Sequence, residues 1–162
     1  MGKNPAIPRL SHVGVGVTDM DRAIAFYEGA LGFHRAAAVT GGQESANLVG
    51  LSGEVYFHSQ FMELEGRLVE LVRFEAPTTE QAPLKQFGQT GLTHLSMRVD
   101  DLDAALASVR ACGGTVLEQS FTRVDLPGGI VGRIVFCTDP DGTRVELMEF
   151  PDAVRFDLPL PG

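Results

Sequence analysis

Two histidines and two glutamates recur in matched settings. His12 follows Leu10-Ser11 and His94 follows Leu92-Thr93, so each histidine is preceded by a hydroxyl residue and, before that, a leucine. Glu70 lies in Val69-Glu70-Leu71 and Glu146 in Val145-Glu146-Leu147, each a carboxylate between aliphatic neighbours near the end of its half of the chain. Taken singly, a strand histidine is usually a satisfied structural side chain and a strand glutamate a solvated one. Taken as two matched pairs, they offer two imidazole nitrogens and two carboxylate oxygens. That donor set suits a borderline divalent ion such as Ni²⁺, Co²⁺, Mn²⁺, Zn²⁺ or Fe²⁺ with positions left for a substrate.

The elements that position these residues are also written twice. The stretch 10–32, LSHVGVGVTDMDRAIAFYEGALG, returns at 92–114 as LTHLSMRVDDLDAALASVRACGG. In the first copy Val13, Val15 and Val17 share one face of a strand by parity, and His12, Gly14 and Gly16 share the other. In the second, Leu95, Met97 and Val99 form the packing face, and His94, Ser96 and Arg98 the opposite one. Asp19 and Asp101 are placed to cap the helices that follow. The buried stripes of those helices are Ala23, Ile24, Tyr27 and Leu31 in one and Leu102, Ala105, Leu106 and Val109 in the other. Gly32 and the Gly113-Gly114 pair end them.

Strands follow each helix: about Arg35–Thr40, Val55–Leu64 and Arg67–Phe74, then about Thr115–Asp125, Arg133–Cys137 and Thr143–Phe150, with Gly- and Pro-rich turns between them. In an alternating strand the aliphatic neighbours of Glu70 and Glu146 face the helix, so the carboxylates point to the side on which His12 and His94 lie. A carboxylate buried there requires a partner or a ligated ion. The chain thus divides into a lead-in at 1–9, a βαβββ module at 10–76, a linker at 77–91 marked by Pro77 and Pro83, a second βαβββ module at 92–150, and an extended tail at 151–162. Two copies at this long period indicate a duplicated supersecondary unit rather than a solenoid. The fold class is α+β.

Composition narrows the ligand. With 162 residues, 44% of them hydrophobic, the chain suits one domain or two small fused halves. A net charge of −8 and a pI near 4.9 argue against nucleic acid or an anionic membrane as a partner. A small molecule is therefore the expected substrate. Cys112 and Cys137, with no apolar run near 18 residues and no leader pattern, point to a reduced, cytoplasmic setting. Both cysteines read as small buried hydrophobes, and His34 as superficial. No phosphate loop or nucleophile elbow is present, and Asp139-Pro140-Asp141-Gly142 reads as a turn rather than a calcium loop.

The segments HVGVGVTDMDRAIAFYEGALGF, RLVELVRF, THLSMRVDDLDAAL and FCTDPDGTRVELMEF together resemble the vicinal oxygen chelate superfamily, over about Leu10 to Phe150. That group includes glyoxalase I, methylmalonyl-CoA epimerase, extradiol dioxygenases, fosfomycin-modifying enzymes and bleomycin-binding proteins. The resemblance implies two βαβββ modules wrapped into a partly closed mixed sheet around a central metal cavity. It implies metal ligands at His12, Glu70, His94 and Glu146, and a homodimer. The His-Glu-His-Glu set resembles bacterial glyoxalase I. Glyoxalase I generally carries an arginine where this chain has Gly16, and HVGVGV resembles the first strand of the epimerases, which usually have glutamine at the position of Glu70.

The activity implied is metal-assisted proton transfer next to a carbonyl, as in an isomerase, epimerase or lyase acting on a small oxygenated substrate such as a thioester or hemithioacetal. In glyoxalase-like enzymes the last-strand glutamate also serves as base, which nominates Glu146 or Glu70. In the epimerases a glutamate between the second and third strands contributes, which nominates Glu44. An iron(II)-dependent dioxygenase uses two histidines and one glutamate in this superfamily, and Glu70 as a fourth ligand counts against it. A non-catalytic antibiotic-binding protein typically lacks the ligands that this chain keeps. Arg98 and Ser96 share the His94 face and are candidates to hold substrate, Arg98 through paired N–H donors to an anion. His58, with Tyr56 on the same strand face, is a third candidate for the cavity lining.

Overall fold

The computed structural model describes residues 8–151 and 154; the expectations for 1–7 and for most of the tail lie outside the described residues. The first module runs β1 (His12–Gly16), α1 (Met20–Gly29), β2 (His34–Gly41), α2 (Ala46–Val49), β3 (Tyr56–Leu64) and β4 (Arg67–Ala76). The second runs β5 (Leu95–Arg98), α3 (Leu102–Ala111), β6 (Thr115–Val116), β7 (Thr122–Leu126), β8 (Ile130–Thr138) and β9 (Arg144–Glu149). Each module forms its own mixed sheet. The strand order is β1-β4-β3-β2 in the first and β5-β9-β8-β6 in the second, with β7 also pairing with β8.

The pairing repeats as well. β1 lies parallel to β4 with Gly14 opposite Glu70, and β5 lies parallel to β9 with Ser96 opposite Glu146. Asp19 accepts a hydrogen bond from the Arg22 N–H and Asp101 from that of Ala104, both at 3.0 Å, so the expected caps start both helices. The valines and leucines of the strands face the helices. Val15, Val17, Met62, Val69 and Leu71 join Phe26 and Tyr27 of α1, and this cluster continues into Leu102, Leu106, Val109, Val135 and Leu147. One core therefore spans both modules, with α1 against α3. Their approach is close: a methyl group on Gly29 would sit 2.7 Å from Cys112 Sγ.

The loop that closes the β8–β9 hairpin ties the modules together. Asp139 accepts from the Tyr27 hydroxyl at 3.4 Å, and Asp141 from the Arg22 guanidinium at 2.8 Å and from the Thr18 hydroxyl. Asp139 also accepts from the backbone N–H groups of Asp141 and Thr143, as the turn reading requires. Burial raises the Asp139 carboxyl above its ordinary value, and burial followed by that neighbouring carboxylate raises the Tyr27 hydroxyl well above its own.

Two segments depart from the sequence reading. The expected single strand Thr115–Asp125 is broken into β6, a 3₁₀ turn at Glu118–Ser120, and β7. Val116 pairs with Cys137 and Thr122 with Ile134, so this side of the ladder carries extra residues that the partner does not match. The surplus folds into the turn, and the Ser120 hydroxyl accepts the Phe136 N–H in place of a ladder bond. The stretch between β2 and β3, to which the sequence reading assigns no element, contains a 3₁₀ turn at Gln43–Ser45 and the single turn α2.

Candidate metal centre

Strand parity places each histidine beside its module's glutamate. His12 Nε2 lies 3.2 Å from Glu70 Oε2, and His94 Nε2 lies 3.6 Å from Glu146 Oε2. The other ring nitrogen is engaged in the same way in both copies. Ser11 Oγ lies 3.1 Å from His12 Nδ1, and Thr93 Oγ1 lies 2.9 Å from His94 Nδ1. A contact at Nδ1 that leaves Nε2 directed at a carboxylate oxygen orients an imidazole as a metal ligand requires. The repeated hydroxyl residue of the sequence thus has a structural purpose. The four candidate side chains are between 18% and 36% exposed, open enough to meet an ion or a substrate without being free in solvent.

A third element of the duplication is aromatic. Phe61 stands opposite Glu70 and Phe136 opposite Glu146. Each ring meets its histidine edge to face with centroids 5.2 Å apart. The sequence reading did not single out this pair. The signal was available, since each phenylalanine stands across one hairpin turn from its glutamate, and counting back through the turn would have found it.

The two pairs remain two half-sites. Among the described residues no three histidine, cysteine or acidic side chains gather at one point. The donor chemistry of each half nevertheless fits a divalent ion: one imidazole nitrogen and one carboxylate oxygen on adjacent strands, with an oriented ring and an aromatic ring packed beside it.

Against known proteins, the profile of the Glyoxalase/Bleomycin resistance protein/Dioxygenase superfamily matches residues 9–147. The chain belongs to that superfamily. Among relatives of this glyoxalase-superfamily chain, the virulence protein STM3117 of Salmonella typhimurium is 26% identical over 144 residues, covering 89% of this chain and 85% of that protein. The lactoylglutathione lyase of Haemophilus influenzae is 28% identical over 141 residues, covering 87% and 92%. The crystal structure of a glyoxalase family protein from Bacillus cereus superposes with a TM-score of 0.73 at 22% identity, covering 93% of this chain and 98% of that one, and so shares the fold. No helix among the described residues is long and apolar enough to cross a membrane.

The remaining candidates of this superfamily chain fall elsewhere. Ser96 joins the second half-site, donating to Glu146 Oε2 at 2.7 Å. Arg98 directs its guanidinium to the chain end: Nη2 donates to the Phe150 and Pro151 carbonyls at 3.0 and 2.8 Å, and Nη1 donates to the Val154 carbonyl. His58 stands opposite Arg73, an odd number of positions from Phe61, so it lies on the sheet face away from Glu70. There it meets Tyr56 and borders a cavity of about 320 Å³ with Met20 and Thr40. Glu44 turns back on its own loop and accepts the Gly42 N–H at 2.7 Å; that bond, with one from its own N–H, lowers its carboxyl below the ordinary value. A carboxylate held ionised in this way is a weak proton acceptor. His34 is exposed and pairs with Glu63. Both cysteines are free, and burial pushes the Cys137 thiol up to about 12.

Proposed function

We propose that this chain is a metal-dependent isomerase or lyase that transfers a proton at a carbon next to a carbonyl of a small oxygenated substrate. His12, Glu70, His94 and Glu146 are its metal ligands in this reading. One observation carries it: the same hydroxyl–histidine–glutamate–phenylalanine arrangement is built twice, once in each module.

A homodimer completes the site in this reading. Both half-sites lie on or beside edge strands, since among the described residues β1 pairs only with β4 and β5 only with β9. A two-fold arrangement that turns the first-module half-site of one copy toward the second-module half-site of another would bring a His12–Glu70 pair to a His94–Glu146 pair, twice per dimer.

A bound divalent ion would supply Lewis acidity toward a substrate oxygen. The residues of this chain do the rest. Phe61 and Phe136 each pack against one histidine and limit how its ring can turn. Ser96 fixes Glu146 in one orientation. Glu70 meets His12 and faces Gly14, which offers no hydroxyl to hold its carboxylate, so Glu70 is the better placed to take and return the proton.

Metal analysis by plasma mass spectrometry, on protein purified without a chelating tag, tests the ligand set, with light scattering for the assembly. About one transition ion per chain, reduced in Glu70→Gln, together with a dimer supports the reading. Protein that stays metal-free after incubation with Ni²⁺, Co²⁺, Mn²⁺, Zn²⁺ and Fe²⁺ overturns it.

A further inference from the structure

Arg144 is only 7% exposed, yet among the described residues none of its contacts is a counter-charge. It opens β9 two positions before Glu146, on the same sheet face. Its Nη2 donates to the Lys85 carbonyl at 2.8 Å, and its guanidinium carbon lies 4.1 Å from the centre of the Phe87 ring. Its Nε N–H is buried with no hydrogen-bond partner. An arginine cannot shed its charge, and a buried cation without a carboxylate is costly. A structural requirement to support Phe87 would be met at lower cost by a methionine or leucine.

The surroundings point to a ligand. Arg144 borders a cavity of about 390 Å³ whose wall also includes Gly14 and Gly16 of β1, Lys85, Thr93 and His94. Phe87 links the guanidinium to the half-site: its ring stacks at 4.9 Å on Phe136 and 6.4 Å from His94. Asp141 is the acidic wall residue nearest in sequence, and one of its oxygens is already held by Arg22 and Thr18. Phe87 is 51% exposed on the linker, so it can slide off the guanidinium and admit a group to Nε.

We propose that Arg144 is the binding residue for an anionic oxygen group of the substrate, a carboxylate or phosphate, seated in this cavity beside His94 and Glu146. This rests on the metal-dependent reading above and narrows its substrate to an anion. Nε and a terminal nitrogen of one guanidinium form the parallel fork that carboxylate and phosphate oxygens accept. Lys85, whose ammonium currently donates to the Thr90 and Leu92 carbonyls, adds positive charge at the rim.

The test is a titration of metal-free protein with inorganic phosphate and, separately, with malonate, at constant ionic strength in chloride. The readout is the Nε–Hε NMR resonance of Arg144, assigned by its loss in Arg144→Lys. Saturable movement of that resonance with either anion, with binding at least tenfold weaker in Arg144→Gln and partly kept in Arg144→Lys, is the expected result. Movement with phosphate alone or malonate alone identifies the group. A resonance unmoved by both anions, or equal binding in Arg144→Gln, overturns the proposal. Arg144→Met separates a structural role: its melting temperature is expected to match or exceed that of the parent, and a marked fall overturns the assignment. Metal content measured on separate protein incubated with the divalent ions reports on the ligand set independently, so either idea can fail alone.

Discussion

Ser96 donates its hydroxyl to Glu146 Oε2 at 2.7 Å, whereas Gly14, which holds the equivalent place in the first module, offers Glu70 no hydroxyl, and Glu70 Oε2 meets His12 Nε2 at 3.2 Å. The two glutamates, alike in sequence context, are thus unlike in their partners. Replacing Ser96 with glycine removes that difference. The expected outcome is metal retention weakened about tenfold, the usual effect of losing an outer partner of a ligand, measured by competition with a chelator. Unchanged retention would show that the hydroxyl does not orient Glu146 for an ion.

The histidine–hydroxyl contacts carry a parallel expectation. Ser11→Ala and Thr93→Ala should each loosen the metal by about tenfold through a less fixed ring, while His12→Ala should lower metal content outright. A His12→Ala protein with full occupancy would show that the ligand set is wrong.

Glu70→Gln and Glu146→Gln separate ligand from base. Glu146→Gln is expected to abolish turnover with the fold intact, as judged by circular dichroism. Glu70→Gln is expected to lose the proton-transfer step, seen as loss of exchange of the substrate's acidic hydrogen with deuterium from solvent. Exchange that persists at the parental rate in Glu70→Gln would assign the base to Glu146.

Glu149 gives a stability test away from the site. Its carboxylate accepts from Arg133 Nε at 2.6 Å and Nη2 at 2.9 Å and from the Leu102 N–H at 3.0 Å, fastening α3 to β8 and β9. The Arg133 bonds, then the backbone bond, hold its carboxyl below the ordinary 4.5. A folded-state value below the unfolded one gives stability that is complete above the unfolded value and lost as pH falls through the lowered one. Because the pair is partly exposed, the loss is about 1 kcal/mol. Glu149→Gln should therefore melt lower than the parent at pH 7, and the gap should close as the pH drops below 4.5. A gap independent of pH would mean the contact works by packing alone.

Gly29→Ala tests the helix contact between modules. A methyl group there would meet Cys112 Sγ at 2.7 Å, and overpacking of this kind costs about 1–3 kcal/mol. Denaturant unfolding should show the loss, and the double variant Gly29→Ala with Cys112→Ala should recover part of it. Equal loss in both would place the strain elsewhere.

Much of this architecture follows from the sequence because its causes are local. The duplicated stretches, the Asp19 and Asp101 caps and the alternation of valines and leucines are each written within a few residues. Parity alone put His12 and Glu70, and His94 and Glu146, on the faces away from the core. The division of Thr115–Asp125 was not legible, because the surplus residues are defined only by what β8 presents across the ladder. The face of His58 likewise depended on its register with β4.

What the sequence by itself determined is on which side of its strand each candidate histidine and glutamate stands, since side-chain direction along a strand has a period of two residues and needs no partner. The tertiary structure alone decided which groups meet. It gathered the two histidines and two glutamates as two pairs, set Phe61 and Phe136 against the histidines, turned Arg98 to the carbonyls of Phe150 and Pro151, and buried Arg144 beneath Phe87. Those outcomes depend on strand pairing, sheet edges and the path of the linker, which are fixed by contacts between residues far apart in the chain.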